Sequence, residues 1–268
     1  MMKALIVVAV MLPAGVSHGQ ESRSEWLRDC QSSRNDRRNR LESFCEVREL
    51  RGPATGGTVS IDGVRNGGVA VTGWDRDSVS FEVRIQTRAR SKAEARTIAG
   101  QVSTSLRGSR VEVGGPRNEN DHQWSASVAA MIPRRSDLDF GTSNGPVTVT
   151  QIRGSVDVRT SNGPMMLRDL GGTVRARTTN APLTISLGGT RWDGTGMDAR
   201  TTNGPLTLQV PAGYNAHLEL GTTNGPVSLD FPITVVGRLT KDISTDLGSG
   251  GATVRAMTTN GPLSVQRK

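Results

Sequence analysis

The sequence predicts an all-β chain: a right-handed parallel β-solenoid of ~18–23-residue coils with Asn-Gly-Pro corners, one inserted α-helix and an N-terminal Cys-bridged helical cap. Three observations lead there. The tripeptide Asn-Gly-Pro recurs at Asn144, Asn162, Asn203, Asn224 and Asn260, with Asn-Ala-Pro at Asn180 and Asn66-Gly67-Gly68 upstream. Both flanks of each corner alternate with period two, as in Val156/Val158 before Asn162 and Met165/Leu167 after it, which is the pattern of strands with one apolar face. A unit this short cannot bury that face alone, so units must stack on one another. Stacking places like residues ~4.8 Å apart, so Asn144, Asn162, Asn180, Asn203, Asn224 and Asn260 should form one corner ladder and the threonines two places earlier another. Glycine at the corner allows positive φ, and proline interrupts the strand ladder there.

The elements follow in chain order. Residues 1–19 read as a signal peptide: Lys3 supplies the basic start, Ala4–Leu12 the apolar run, and Ser17-His18-Gly19 the cleavage site. That run is too short to span a membrane. Residues 20–50 form a disulfide-bridged cap, because Cys30 and Cys45 are the two cysteines of an exported chain. On one continuous helix they would lie ~22 Å apart, beyond the ~7 Å reach of a disulfide, so the chain must reverse between them. Residues 51–135 are an irregular β region, with alternating runs at Val59/Ile61, Val69/Val71, Val79–Ile85, Val111/Val113 and Trp124–Ile132. Inside it Ser91-Lys92-Ala93-Glu94 has capping-box form, and Ala95, Ile98, Val102 and Leu106 follow at helical spacing, predicting a helix over 92–107. Residues 136–268 carry the regular repeats. The 36-residue step from Asn224 to Asn260 is expected to hold two periods with one degenerate coil between.

Strings of Thr-Thr-Asn-Gly-Pro followed by hydrophobic-x-hydrophobic, preceded by Arg65-Asn66-Gly67-Gly68-Val69-Ala70-Val71-Thr72-Gly73-Trp74-Asp75 and by Cys45-Glu46-Val47-Arg48-Glu49, resemble the bacterial toast-rack, β-strand-repeat family named "putative adhesins", a domain of unknown function. The resemblance runs from about Cys30 to the C-terminus. It implies a secreted or envelope β-solenoid and supplies no catalytic residues.

With 34% hydrophobic and 3% aromatic residues the chain has few large side chains for a globular core, and its formal charge is +8. That charge favours an anionic partner. Three places before Asn162, Asn180 and Asn203 stand Arg159, Arg177 and Arg200, a column flanked by Gly141 and Gly221. Beside it, five places before each Asn, runs Asp139, Asp157, Arg175, Asp198, Glu219, Arg255. The column is the candidate contact for an anionic envelope polysaccharide, lipid head groups or another surface protein; the competing account is that the acids neutralise it. Trp192, in the insertion Gly188–Gly196, is the second candidate contact.

The expected function is therefore an exported, non-enzymatic, adhesin-like interaction module needing no cofactor and no metal. The alternatives are a glycan-active β-helix enzyme using Asp193/Asp198 beside Trp192, or a purely structural scaffold. Asp137/Asp139 and Asp242/Asp246 are further carboxylate pairs. Gly141-Thr142-Ser143-Asn144-Gly145 matches a serine-hydrolase pattern, but that pattern requires a strand-to-helix elbow and Ser143 sits in a repeat slot. Nucleic acid is disfavoured because no aromatic residues interleave the basic ones.

Overall fold

The computed structural model describes residues 22–32, 41–64, 66–230 and 242–268; the expected signal peptide, residues 1–19, lies outside them. Helix α1 (Arg23–Ser32) precedes the long strand β1 (Glu42–Pro53). A first strand pair, β2 (Val59–Asp62) and β3 (Val69–Trp74), leads to β4 (Ser78–Ala89) and helix α2 (Lys92–Gln101). A hairpin, β5 (Ser103–Arg107) and β6 (Arg110–Gly114), is followed by β7 (His122–Pro133). The repeats come next: β8 (Leu138–Thr142) with β9 (Val147–Thr150), β10 (Arg153–Thr160) with β11 (Met165–Arg168), β12 (Gly171–Thr178) with β13 (Leu183–Ser186), and β14 (Gly196–Thr201) with β15 (Leu206–Val210). The chain closes with β16 (Ala216–Thr222), β17 (Val227–Leu229), β18 (Asp242–Leu247), β19 (Thr253–Thr258) and β20 (Leu263–Arg267).

These strands form two ten-stranded sheets. The first runs β1-β4-β7-β3-β9-β11-β13-β15-β20-β17, the second β18-β16-β19-β14-β12-β10-β8-β2-β6-β5. Each repeat contributes its strand before the asparagine to the second sheet and its strand after it to the first, and neighbouring repeats pair parallel and in register, as Val156↔Val174 and Met165↔Leu183. One apolar face of each sheet turns inward. Val158, Ala176, Ala199, Leu183, Leu206 and Leu208 are all 0% exposed, so the alternation in the sequence is the alternation of burial. Antiparallel strands flank the stack: β1 and β4 extend β7 and β5 extends β6 at one end, while at the other β18 extends β16 and the first sheet ends on the parallel strand β17.

The corner asparagines form a side-chain amide chain. Asn144 donates to Asn66, Asn162 to Asn144, Asn180 to Asn162 and Asn203 to Asn180, at 2.7–2.9 Å. It continues not to Asn224 but to Asn260, which donates to Asn203 and accepts from Asn224, each at 2.7 Å. The unit β19/β20 therefore lies between β14/β15 and β16/β17, parallel to both. This corrects the expectation of a degenerate coil between Asn224 and Asn260: residues 242–247 instead turn back as the antiparallel edge strand β18. At the other end β2/β3 sits between β6/β7 and β8/β9, again out of chain order.

Three more expectations change. None of Gly145, Gly163, Gly204, Gly225 and Gly261 has positive φ. Glycine suits these corners because the neighbouring corner's backbone crowds the side-chain position: a Cβ on Gly163 would stand 1.8 Å from the Gly145 carbonyl oxygen, and one on Gly261 2.1 Å from that of Gly204, although the corner at Asn180 carries Ala181 in the same slot. The helix predicted over 92–107 ends at Gln101. Ser91 Oγ accepts from Glu94 N at 3.2 Å as the capping box requires, but Val102-Ser103-Thr104-Ser105 are weak helix formers, and β6 offers this stretch a strand partner. The Cys30–Cys45 disulfide is present, with Cα atoms 6.3 Å apart, yet the segment expected as a helical cap is helical only at Cys30: the bond joins α1 to the strand β1. Phe44 packs beside Ala89, Ala95 and Ile98, against α2.

Candidate binding groove on the charged sheet

The two outer faces differ in chemistry. On the first sheet, residues aligned across the repeats are Thr148, Met166, Thr184, Thr207, Ser264 and Ser228, nearly all small and uncharged. On the second, strand alternation brings the charged residues out in two columns. One reads Asp139, Asp157, Arg175, Asp198, Arg255, Glu219, and the other Gly141, Arg159, Arg177, Arg200, Met257, Gly221. Because β19 inserts, Arg200 neighbours Met257, which corrects the expected Gly221 flank. The same insertion places Arg255 between Asp198 and Glu219, where chain order alone would have set two acids side by side.

The columns are coupled by ion pairs. Arg159 Nη2 donates to Asp157 Oδ2 at 2.6 Å, Arg200 Nε to Asp198 Oδ1 at 2.7 Å, and Arg255 binds Glu219. The hydrogen bond that Arg200 donates to Asp198, only partly offset by burial, holds the guanidinium above its ordinary pKa. Arg177 differs. It is exposed, its cross-strand neighbours are the like-charged Arg159 and Arg200, and among the described residues it has no carboxylate partner.

Arg177 and Arg200 line a groove of about 710 Å³ that crosses β12, β14, β19, β16 and β18. Met257 and Asp242 shape its far end. Gly221 makes room for both, since a Cβ there would fall 2.3 Å from Asp242 Oδ1 and 2.6 Å from Met257 Cε. Threonines 179, 202, 259 and 223 border it on the corner side. Neither Met257 nor Asp242 was recognisable in the sequence as part of this surface, because the repeat numbering placed Met257 one unit too far along; the alternating charge column was the signal that could have shown the true order.

Trp192 is not a surface platform. It is 6% exposed, belongs to the core, and its Nε1 donates to the Gly172 carbonyl at 3.0 Å, so the insertion folds the indole inward over the wider coil. Asp193 is 3.8 Å from Arg153, and Asp198 is engaged by Arg200, so the pair considered for glycan cleavage is not assembled around Trp192. Ser143 lies between β8 and β9, with no elbow into a helix; its carbonyl accepts from Asn162 N at 2.8 Å. Glu119, Asp121 and His122 bring ligand atoms within 4.8 Å of one another, but Asp121 is already shared between His122 Nδ1 at 3.0 Å and Arg90 Nη2 at 2.8 Å. Among the described residues no helix is long and apolar enough to cross a membrane.

Comparison with solved structures finds a "putative cell adhesion protein" from Clostridium sporogenes, at 9% identity and TM-score 0.45, covering 85% of this chain and 100% of that one. A "putative adhesin" from Bacteroides fragilis is similar at 9% identity and TM-score 0.33, over 84% and 97% of the two chains. A "putative lipid binding protein" from Parabacteroides distasonis follows at 8% identity and TM-score 0.35, over 82% and 96%. No family model matches the chain, and no curated protein does.

Proposed function

We propose that the chain is an exported β-solenoid acting as an adhesin-like interaction module of the envelope or cell surface, and that its charged sheet binds an anionic polymer. The parallel registers and the asparagine chain support the solenoid reading. The Cys30–Cys45 disulfide supports export, since such bonds persist in oxidising compartments. The observation that carries the binding reading is Arg177, an exposed cation opening onto a groove, with no acid of its own among the described residues. Its neighbours Arg159 and Arg200 stand one strand away on either side, a spacing of ~4.8 Å that suits successive charges on a polymer lying across the strands.

The test is retention of the pure protein on an acidic polysaccharide matrix, and on vesicles with and without anionic lipid, as salt rises. Wild type should elute earlier as screening grows. Arg177→Gln should weaken binding roughly two- to fivefold, the scale of one exposed ion pair, and the triple Gln variant of Arg159, Arg177 and Arg200 should abolish it. A triple variant that elutes with wild type from both materials would remove the proposal.

A further inference from the structure

The outermost pair of the charged sheet, β16 and β18, sets His217 opposite Asp246 and Glu219 opposite Ser244. Residues two apart on a strand share a face, so all four side chains emerge together on the outside. His217 Nδ1 lies 2.7 Å from Asp246 Oδ1, and His217 Nε2 lies 3.1 Å from Ser244 Oγ. A carboxylate on one ring nitrogen and a hydroxyl on the other is the arrangement that orients an imidazole to take a serine's proton. Glu219 does not displace the serine: its Oε1 is 4.0 Å from Nε2, beyond hydrogen-bond reach, and its Oε2 is held by Arg255.

Two further features meet at this point. Ser244 lines the groove whose cations are Arg177, Arg200 and Arg255, so there is space and positive charge beside the hydroxyl. The second feature is a backbone donor. His217 N donates to Ala252 O, on the β19 side, so the neighbouring residue Leu218 bonds towards β18 and pairs there with Thr245. Alternation along an antiparallel ladder then turns the Ser244 N–H away from β16, off the open edge of the sheet, where it has no partner among the described residues.

We propose that Ser244, His217 and Asp246 form a hydrolytic site for carboxylic esters that carry an anionic group. Ser244 Oγ attacks the ester carbonyl carbon while its proton passes to His217 Nε2. The oxyanion receives the outward Ser244 N–H, the carbon–oxygen bond to the alcohol breaks, and Nε2 returns the proton to the leaving alkoxide. Water then attacks the acyl-serine, gives a proton to Nε2, and the carboxylic acid departs as Ser244 Oγ is reprotonated. Asp246 accepts from Nδ1–H and orients the ring throughout. Its side chain is 63% exposed, so water competes for that role and turnover is slow. The site goes beyond polymer binding and departs from the expectation of a chain without chemistry.

The experiment treats the full chain with a fluorophosphonate probe, maps the adduct by mass spectrometry, and follows p-nitrophenyl acetate and p-nitrophenyl hemisuccinate hydrolysis. One adduct on Ser244 is expected, absent in Ser244→Ala, with hydrolysis lowered at least about tenfold in His217→Gln and about threefold in Asp246→Asn. The substituted side chains lie on the exposed face, and unchanged thermal melting of each variant separates lost chemistry from lost fold. Hemisuccinate should be cleaved faster than acetate; equal rates would overturn the anionic substrate class. No adduct on Ser244, or labelling that His217→Gln leaves at the wild-type rate, would overturn the site itself.

Discussion

Two places before each of the six corner asparagines from Asn144 onward stands a threonine that a surface reading would call decorative and that burial shows to be structural. Thr142, Thr160, Thr178, Thr201, Thr222 and Thr258 are 3–7% exposed, and each hydroxyl donates to a corner carbonyl of the adjoining unit, for example Thr201 Oγ1 to Ala181 O at 3.0 Å and Thr258 Oγ1 to Gly204 O at 2.9 Å. The hydroxyl satisfies an acceptor at the place where proline breaks the ladder, an acceptor that would otherwise cost about 1–3 kcal/mol buried and unpaired. The single tyrosine gives a second residue-scale expectation. Tyr214 is 3% exposed and burial pushes its pKa up to about 12, with Arg153 pulling the other way. An unfolded tyrosine ionises near 10, so the folded state keeps a proton that the unfolded state has lost. Stability from this group is therefore complete below about pH 10 and lost as pH rises towards about 12. Tyrosinate absorbance of the native protein should show a midpoint near 12, with the urea midpoint falling from pH 10 to 11; a native midpoint near 10 would mean that the phenol is not buried.

At the scale of elements, the corner and the helix make opposite use of glycine. Gly163 is held by a neighbouring carbonyl 1.8 Å from where its Cβ would be, whereas a Cβ on Gly100, within α2, meets nothing within 4 Å. Gly163→Ala should therefore cost about 1–3 kcal/mol through overpacking, while Gly100→Ala should stabilise by about 0.5–1 kcal/mol through helix propensity. Chemical denaturation of the two variants checks both signs, and a neutral Gly163→Ala would show that the corners are spaced more loosely than this geometry.

Over the whole molecule, the stack is not in chain order at either end. Placing β19/β20 inside the row of repeats has an electrostatic consequence: past the adjacent acids Asp139 and Asp157 the outer column alternates as Arg175, Asp198, Arg255, Glu219, which avoids setting Asp198 beside Glu219, and cross-strand neighbours of like charge are destabilising. It also means that β19/β20, which follows both in the chain, completes the contact between β14/β15 and β16/β17. A chain ending at Gly251 should lose more than its final unit. Limited proteolysis and hydrogen exchange should find β16 to β18 unprotected while β8 to β15 remain protected, since stacked repeats are stabilised mainly by their nearest neighbours. Protection of β16 to β18 in that truncated chain would place β16/β17 directly on β14/β15 and overturn the inserted order.

Much of this was legible in the linear chain, and the reason is local. Period-two alternation determines which side chains turn inward, so Val156, Val158, Leu206 and Leu208 could be assigned to the core before any coordinates, and so could the alignment of Arg159, Arg177 and Arg200, because register follows from repeat spacing. Pairing Cys30 with Cys45 needed only their number and the export reading. The order of the units was not legible, because Asn203 accepts an amide from Asn260 as readily as from Asn224 and spacing in sequence does not choose between them. The end of α2 was set by a strand partner waiting in β6, and the inward turn of Trp192 by the carbonyl of Gly172. His217, Ser244 and Asp246 belong to no sequence motif and meet only because β18 turns back along β16. The sequence by itself determined the strands, their faces and their corners, which depend on neighbours along the chain; the tertiary structure alone decided which units touch, because that choice is made by charge and hydrogen bonding between segments far apart in sequence.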